Sequence, residues 1–378
     1  MTIFNLNRML LAAAMVLTAG MVQAITIDMV PVGNPGNAGE QSRLLKANDP
    51  NFYGSVAYNY QIGKCEINAG QYTEFLNAVI PGGPGSTTDP YGLYDVNLPV
   101  PGYGSPIIYH SDTRIFTASL PSEPANYITW YDAARFCNWL QSGDTENGAY
   151  TLNGHTDSTY VRDHVTRNAG ATYVIPTENE WYKAAYYDPN KPGGAGYWLY
   201  PTKSNTPPSN SYPSTGTNNA NYYNGTFTLN PMNTTPVGSF ANSSSAYGTL
   251  DQGGNVWELT ETADGLDNMS RVKRGGAFDQ WNGGPDSSNR SSNYPTYGLG
   301  YGGFRVACVP EPGSLLLLVC GSIAGLIYWR RNRYLKKIFL SAFGLVLMFP
   351  MYAIRVVSLS TIVLSRVVSM TFLNDIQI

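Results

Sequence analysis

Apolar positions recur at helical spacing in three stretches of the chain. Over Asn68–Val79, residues Tyr72, Phe75, Leu76 and Val79 stand three or four apart, which predicts one buried face of an amphipathic helix. Asn68 supplies a side chain able to cap its first turn, and a β-type run, Val56-Ala57-Tyr58-Asn59-Tyr60-Gln61-Ile62, precedes it. A second helix is expected over Thr129–Gln141, with Thr129 as cap and Asp132 three residues on. Trp130, Ala133, Ala134, Cys137, Trp139 and Leu140 give it a broad apolar surface, and Gly143 ends it. A shorter third, Thr177–Tyr186, opens with the capping-box pair Thr177 and Glu180.

Beyond Pro189 the periodicity fades. Residues 190–236 are rich in Pro, Asn, Ser, Thr and Tyr, and segments this long without regular structure often carry function. There is no internal repeat and no heptad pattern. An α+β domain that is short on regular structure and long on ordered loops is therefore expected.

Both ends read as addressing segments rather than fold. Residues 1–24 have Arg8, an apolar run from Met9 to Val22 and a small-x-small site at Val22-Gln23-Ala24, the pattern of a secretory signal peptide. At the other end Val309-Pro310-Glu311-Pro312 precedes an apolar run, 313–329, and then Arg330, Arg331 and Arg333. That run would rise about 26 Å as a helix, enough to cross a hydrocarbon core, with the arginines held on the cytoplasmic side. Two weaker apolar stretches follow, Ile338–Ile354 and Val356–Leu364, in an extension (334–378) to which the sequence assigns no role.

The domain between, 25–308, is weakly charged. The whole chain has 13% charged residues and a net charge of −3, which leaves no electrostatic footprint for nucleic acid. Tyrosine is abundant at 28 residues, so the glycine- and proline-rich loops have aromatic material to pack on. Cys65, Cys137 and Cys308 fall in the domain, and spacing alone leaves their pairing open.

An ordered glycine, aromatic and arginine ladder closes the domain: Gly253-Gly254-Asn255-Val256-Trp257-Glu258, then Arg274-Gly275-Gly276-Ala277-Phe278, then Gly302-Gly303-Phe304-Arg305-Val306. Upstream stand Glu66-Ile67-Asn68 with Gln71-Tyr72-Thr73-Glu74-Phe75, then Ile175-Pro176-Thr177-Glu178-Asn179-Glu180-Trp181, and Thr235-Pro236-Val237-Gly238. Together these segments resemble the sulfatase-modifying-factor family, the formylglycine-generating-enzyme type of domain. The resemblance implies a C-type-lectin-like α+β fold. The tail is similar to the Pro-Glu-Pro C-terminal (PEP-CTERM) sorting signal of Gram-negative bacteria. That likeness implies an exosortase-type sorting protease as partner, a transient stay in the inner membrane, and release to the cell surface or the exopolysaccharide matrix.

The chemistry the family implies is only partly represented. Formylglycine-generating enzymes bind copper through two cysteines between the Arg-Gly-Gly and Gly-Phe-Arg segments. Here that interval has no cysteine, and Asn282 and Ser287 fall roughly where the thiols would sit. Neither an amide nor a hydroxyl replaces a thiolate as a soft ligand, so copper catalysis is not expected. A related branch, the sulfoxide synthases, takes iron from histidines in an added helical domain. This chain has His110, His155 and His164, and the nine-residue gap between the last two is not a one-face helical spacing.

Three further sites are open to expectation. Gly298-Leu299-Gly300-Tyr301-Gly302-Gly303 satisfies a dinucleotide string but lacks the strand and helix that would make it one, and reads as a turn. The family resemblance implies calcium held by oxygen ligands, here Asn255 with Glu258, and Asn221 with Tyr222. The same resemblance places a ligand groove over Phe278–Gly302, lined by Asp279, Trp281, Asn282, Asp286, Ser287, Asn289 and Arg290. Tyr197, Trp198, Tyr200, Tyr222, Tyr223, Tyr294, Tyr297 and Tyr301 are further loop aromatics that could face a sugar. The leading expectation is an exported, non-catalytic relative that binds a glycan or peptide. The alternative is a nonheme metal-dependent oxidoreductase with an unidentified ligand set.

Overall fold

The structure is a computed structural model, and it describes residues 25–41 and 52–310 apart from short breaks at 86, 88, 95–103, 230–232, 266–267 and 282–283. The chain divides into two units, Met1–Glu311 and Pro312–Ile378, and all the described residues belong to the first. The signal peptide, Glu311, Pro312, Arg330, Arg331, Arg333 and Asn282 lie outside the described residues. Among the described residues no helix is long and apolar enough to cross a membrane.

The three expected helices form where their caps place them. Helix α1 (Ala69–Val79) starts at Asn68, whose Oδ1 accepts from the Gln71 amide at 2.8 Å while Gln71 Oε1 accepts from the Asn68 amide at 3.0 Å. Helix α2 (Trp130–Ser142) has the reciprocal Thr129 and Asp132 pair and ends on Gly143 in the left-handed region at φ 77°. A short helix that sequence periodicity does not reveal, α3 (Ser158–His164), is capped by Asp157. Helix α4 (Glu178–Tyr186) has the Thr177 and Glu180 capping box and two acidic residues in its first turn, which suits the helix dipole.

Strands are short. They run β1 (Met29–Val32), β2 (Glu40–Gln41), β3 (Phe52–Tyr53), β4 (Tyr60–Gly63), β5 (Ile107–His110), β6 (Ile115–Ala118), β7 (Tyr173–Val174), β8 (Tyr187–Asp188) and β9 (Gly196–Tyr197). The C-terminal ones are β10 (Trp257–Ala263), β11 (Arg271–Arg274), β12 (Arg290–Asn293), β13 (Gly302–Gly303) and β14 (Ala307–Cys308). One four-stranded sheet has the order β1-β4-β14-β7 and closes the domain by pairing its last strand with early ones. Ala307 stands opposite both Ile62 and Val174. The other has the order β12-β11-β10-β13, antiparallel except for the parallel pair β10 and β13. Its register sets Glu258 beside Arg274 on one flank and Gly303 on the other, and Arg274 beside Arg290.

The core joins the ladder to the helices. Phe304 packs edge-on to Phe136 of α2 at 5.4 Å and to Tyr72 of α1 at 6.5 Å, and Phe75 meets Phe136 at 5.3 Å. Edge-to-face rings of this kind add to the area they bury. The described residues of 190–236 have β9 and isolated bridges but no longer element, as expected. Side chains order that segment: Asn210 donates to the Tyr222 and Thr226 carbonyls, and Asn218 to those of Thr206 and Pro207. The fold is thus mixed α and β, and rich in loops.

Candidate functional site

The ladder motifs converge on a buried floor of paired charges. Arg305 follows Phe304 inward and sets its guanidinium against Glu258, with Nε and Nη2 each 2.5 Å from a carboxylate oxygen. Its remaining donors reach the carbonyls of Gly63, Lys64 and Leu250. Trp181 Nε1 donates to Glu258 at 2.8 Å, so the Trp of one motif, the Glu of the second and the Arg of the third form one cluster. Both charged side chains are fully buried. Such a pair holds together only when its donors and acceptors are satisfied, and here the guanidinium's five N–H groups all have oxygen partners nearby.

Two further networks flank it. Glu178 receives Arg274 Nε at 2.7 Å and Arg290 Nε at 2.9 Å, and Arg290 continues to Asp264 at 2.9 Å. Arg167 forks onto both oxygens of Glu180 at 2.9 and 2.7 Å and reaches Glu261 at 2.5 Å. Tyr58 donates to Glu180 and Tyr150 to Glu261. The Arg167 guanidinium holds the buried Glu180 carboxyl below its ordinary value against the opposing effect of burial.

Asn255, expected as a cation ligand, is a cross-brace. Its backbone is left-handed at φ 60°; its Oδ1 accepts from the Thr235 amide at 2.9 Å and from Asn221 at 3.1 Å, and its amide group donates to Glu66 at 3.1 Å. The preceding Gly254, at φ 91°, brings the chain so close that a Cβ would lie 2.2 Å from the Asn221 carbonyl oxygen. Tyr222 is buried and donates to the Pro208 carbonyl. Glu258, Asn255 and the Tyr222 hydroxyl do not fit calcium as the side-chain ligands expected of them, whereas the Asn221 Oδ1 is buried without a hydrogen-bond partner. Glu258 has both oxygens on Arg305, and N–H donors already surround the Asn255 oxygen. At Glu258 the Arg305 guanidinium supplies the positive charge that a cation would have brought.

The other metal expectations meet similar geometry. Ser287, one of the two positions registered against the copper thiols, is buried with its amide bonded to the Leu199 carbonyl. Cys65, Cys137 and Cys308 are all free, and burial pushes each thiol's pKa up, away from the thiolate that binds soft metals. His155 and His164 do come together despite their spacing. Each stacks on the Tyr160 ring, with centroids at 3.7 and 4.7 Å. Among the described residues no group of three or more His, Cys, Asp or Glu is placed to hold a metal.

The groove set divides in two. Arg290 belongs to the buried floor, Ser287 to the interior, and Asn289 braces its own loop by donating to the Gly284 carbonyl. Asp286 accepts from the Ser288 amide, a local turn contact. Trp281, in contrast, is 65% exposed and meets Tyr223 edge-on at 4.7 Å. Tyr223 meets Phe227 at 4.6 Å, and Phe227 is itself 43% exposed. The Tyr223 amide donates to the Gln280 carbonyl at 2.8 Å, which ties the two loops that present these rings. Phe227 escaped the sequence reading because a single Phe in a polar loop has no periodic signal. Of the other loop aromatics, Tyr197, Tyr200 and Tyr222 are buried packing residues rather than rim. Behind the rim, Lys273 lies over the rings of Trp257 at 5.1 Å and Tyr301 at 5.7 Å, with its pKa lowered by burial and supported by Asp279.

A loop-rich α and β scaffold whose Trp, Glu and Arg motifs interlock in this way defines a class before any comparison is made. Residues 28–309 match the sulfatase-modifying factor enzyme 1-like domain, and the chain belongs to that family. Among solved structures it is similar to CarF, with a TM-score of 0.50 at 19% identity over 76% of this chain and 100% of that one. Treponema denticola variable protein 1 aligns with a TM-score of 0.48 at 19% identity, covering 77% of this chain and 98% of that one. PvdO from Pseudomonas aeruginosa aligns with a TM-score of 0.44, also at 19% identity, over 75% and 94%. At this identity the likeness to CarF speaks to the fold alone. No curated protein matches the chain.

Proposed function

We propose that this chain is an exported, surface-associated binding module, a non-catalytic member of its family that holds a glycan of the extracellular matrix. The observation that carries the reading is the cluster of exposed Trp281 and Phe227 about the half-buried Tyr223, mounted on loops. Flat rings offer faces to the apolar side of a sugar ring, and neighbouring Asn and Asp groups offer partners to its hydroxyls. The low charge of the chain suits a neutral or weakly charged polymer. Export and release rest on the two terminal segments read from sequence, with an exosortase-type protease as the processing partner.

Fluorescence titration of the full chain with hydrolysed matrix exopolysaccharide tests this. Saturable quenching is expected, and Trp281→Ala should weaken it at least about tenfold, or ~1.4 kcal/mol. Binding that is unchanged in Trp281→Ala would sink the reading. So would copper or iron at stoichiometry together with thiol-dependent oxygen uptake, which would make the protein an oxidoreductase.

A further inference from the structure

A cleft of about 320 Å³ opens elsewhere in the domain, and the aromatic rim contributes none of the residues that line it. Its walls carry Tyr91, Tyr127 and Tyr131, and its polar groups include Asp132, Thr156 and Thr296. The volume lies at the low end of the range for small-molecule sites.

Its tyrosines are held in place from behind. The Arg135 guanidinium lies 4.1 Å from the Tyr91 ring centroid and 5.4 Å from that of Tyr131. Arg135 is itself fixed by Glu146 at 2.7 Å, and the Tyr131 hydroxyl donates to the Asp157 carbonyl at 2.8 Å. Rings immobilised before a ligand arrives lose little freedom on binding it. Tyr127 stands at φ 59°, a left-handed conformation that costs a bulky residue free energy. The contact of its amide with the Leu299 carbonyl at 2.9 Å holds it there. Its carbonyl lies so near Gly298 that a Cβ on that glycine would approach it to 2.2 Å. Strain maintained beside a cavity is a recurrent mark of a binding site.

The lining also defines the chemistry of an occupant. Among the described residues the lining has no Lys, Arg or His, and the Arg135 guanidinium behind the rings is already paired with Glu146, so the site offers little to a phosphate or carboxylate. Asp132 accepts from the Thr129 amide at 2.8 Å as part of its capping box, and burial raises its pKa to about 7. With that carboxyl buried and engaged, the threonine and tyrosine hydroxyls that remain are too poor a donor set for a metal, but they suit a ligand rich in hydroxyls. The turn at the mouth places Thr296 between Tyr294 and Tyr297, which are 43% and 58% exposed and meet edge-on at 5.9 Å.

We propose that this cleft is a second binding site, specific for an uncharged sugar residue, with the part-exposed Tyr91 and Tyr127 rings as platforms and the exposed Thr156 and Thr296 hydroxyls as polar partners. It stands independently of the rim.

Saturation-transfer NMR on the full chain, with cellobiose, maltose and lactose as separate millimolar probes, tests it. Transfer to at least one disaccharide is expected. With the rim removed by Trp281→Ala in the background, Thr296→Trp and, on another part of the lining, Thr156→Trp should each reduce it at least tenfold. Both threonines are exposed, so the variants should melt as the parent does, and either one suffices if the other fails to fold. Absence of transfer from all three probes overturns the proposal, as does transfer undiminished in a folded Trp variant. Transfer lost in Trp281→Ala but retained in Thr296→Trp would assign the sugar to the rim and likewise overturn the cleft.

Discussion

The buried floor and the exposed rim of this domain are built on opposite principles. On the floor each charge has a fixed counterpart: Glu258 has Arg305 and Trp181, Glu178 has Arg274 and Arg290, and Glu180 has Arg167. On the rim, Trp281 and Phe227 each meet the half-buried Tyr223 in a ring contact and turn much of their surface to solvent. The motifs that give this family its signature lie on the floor, where they fix the scaffold. The residues free to contact a ligand lie in loops with no motif. Family membership therefore identifies the fold here, and the rim proposed as the binding surface lies outside the family's motifs.

The sharpest way to break this contrast is to remove one charge from the floor. Arg305→Ala leaves Glu258 buried without its counterion, and the expected loss of stability is about 3–5 kcal/mol. Chemical denaturation measures it, and the double variant Arg305→Met with Glu258→Leu should recover much of the loss. A cost below about 1 kcal/mol would mean that the pair is not structural. Gly254→Ala comes next. Its positive φ and the 2.2 Å approach to the Asn221 carbonyl predict a loss of about 1–3 kcal/mol from strain, before any displacement of the 221–255 cross-brace is added.

A smaller effect follows from the buried acids. Burial raises the pKa of Asp132 to about 7, that of Asp251 to about 6 and that of Glu123 to about 7. Between the ordinary carboxylate range and these values the native state holds protons that the unfolded chain has released. Stability from these groups therefore falls as pH rises from about 4 to about 7. Glu180 has the opposite sign, but its lowered pKa confines its loss of stability to more acid conditions. The midpoint of thermal unfolding should thus be higher at pH 5.5 than at pH 7.5. The expected difference is about 2–4 °C per kcal/mol gained. A midpoint that rises with pH across this window would show that these acids are ionised in the native protein.

How much of this was legible in the sequence follows the same divide. The three longer helices could be read because Asn68, Thr129 and Thr177 cap periodic apolar runs, and local chemistry determines local structure there. Helix α3 could not, because seven residues with Val161 as the one buried side chain carry no period. The motifs announced the scaffold but not their own wiring. Sequence spacing cannot show that Glu258 would turn to Arg305, 47 residues on, rather than to a cation. Nor can it show that Arg290, expected in the groove, pairs with Glu178, 112 residues earlier. Tyrosine count was also a poor guide to exposure. In a loop-rich domain many tyrosines, Tyr197 and Tyr222 among them, replace the aliphatic core that short strands cannot supply.

The rim itself provides the test with the smallest effect on stability and the most direct bearing on function. Trp281 is exposed, and its contact with Tyr223 is a surface ring pair, so Trp281→Ala should change unfolding free energy by no more than about 0.5 kcal/mol. The same substitution removes the largest exposed face available to a sugar, and saccharide affinity should fall at least about tenfold. The two readouts together discriminate where either alone would not. A large loss of stability would mean that Trp281 is part of the floor and that floor and rim are not distinct. Affinity and stability both unchanged would leave the ring as ordinary exposed surface. A fall in affinity with stability preserved would place binding on the loops, which can alter their ligand while the charge-paired scaffold beneath them stays the same.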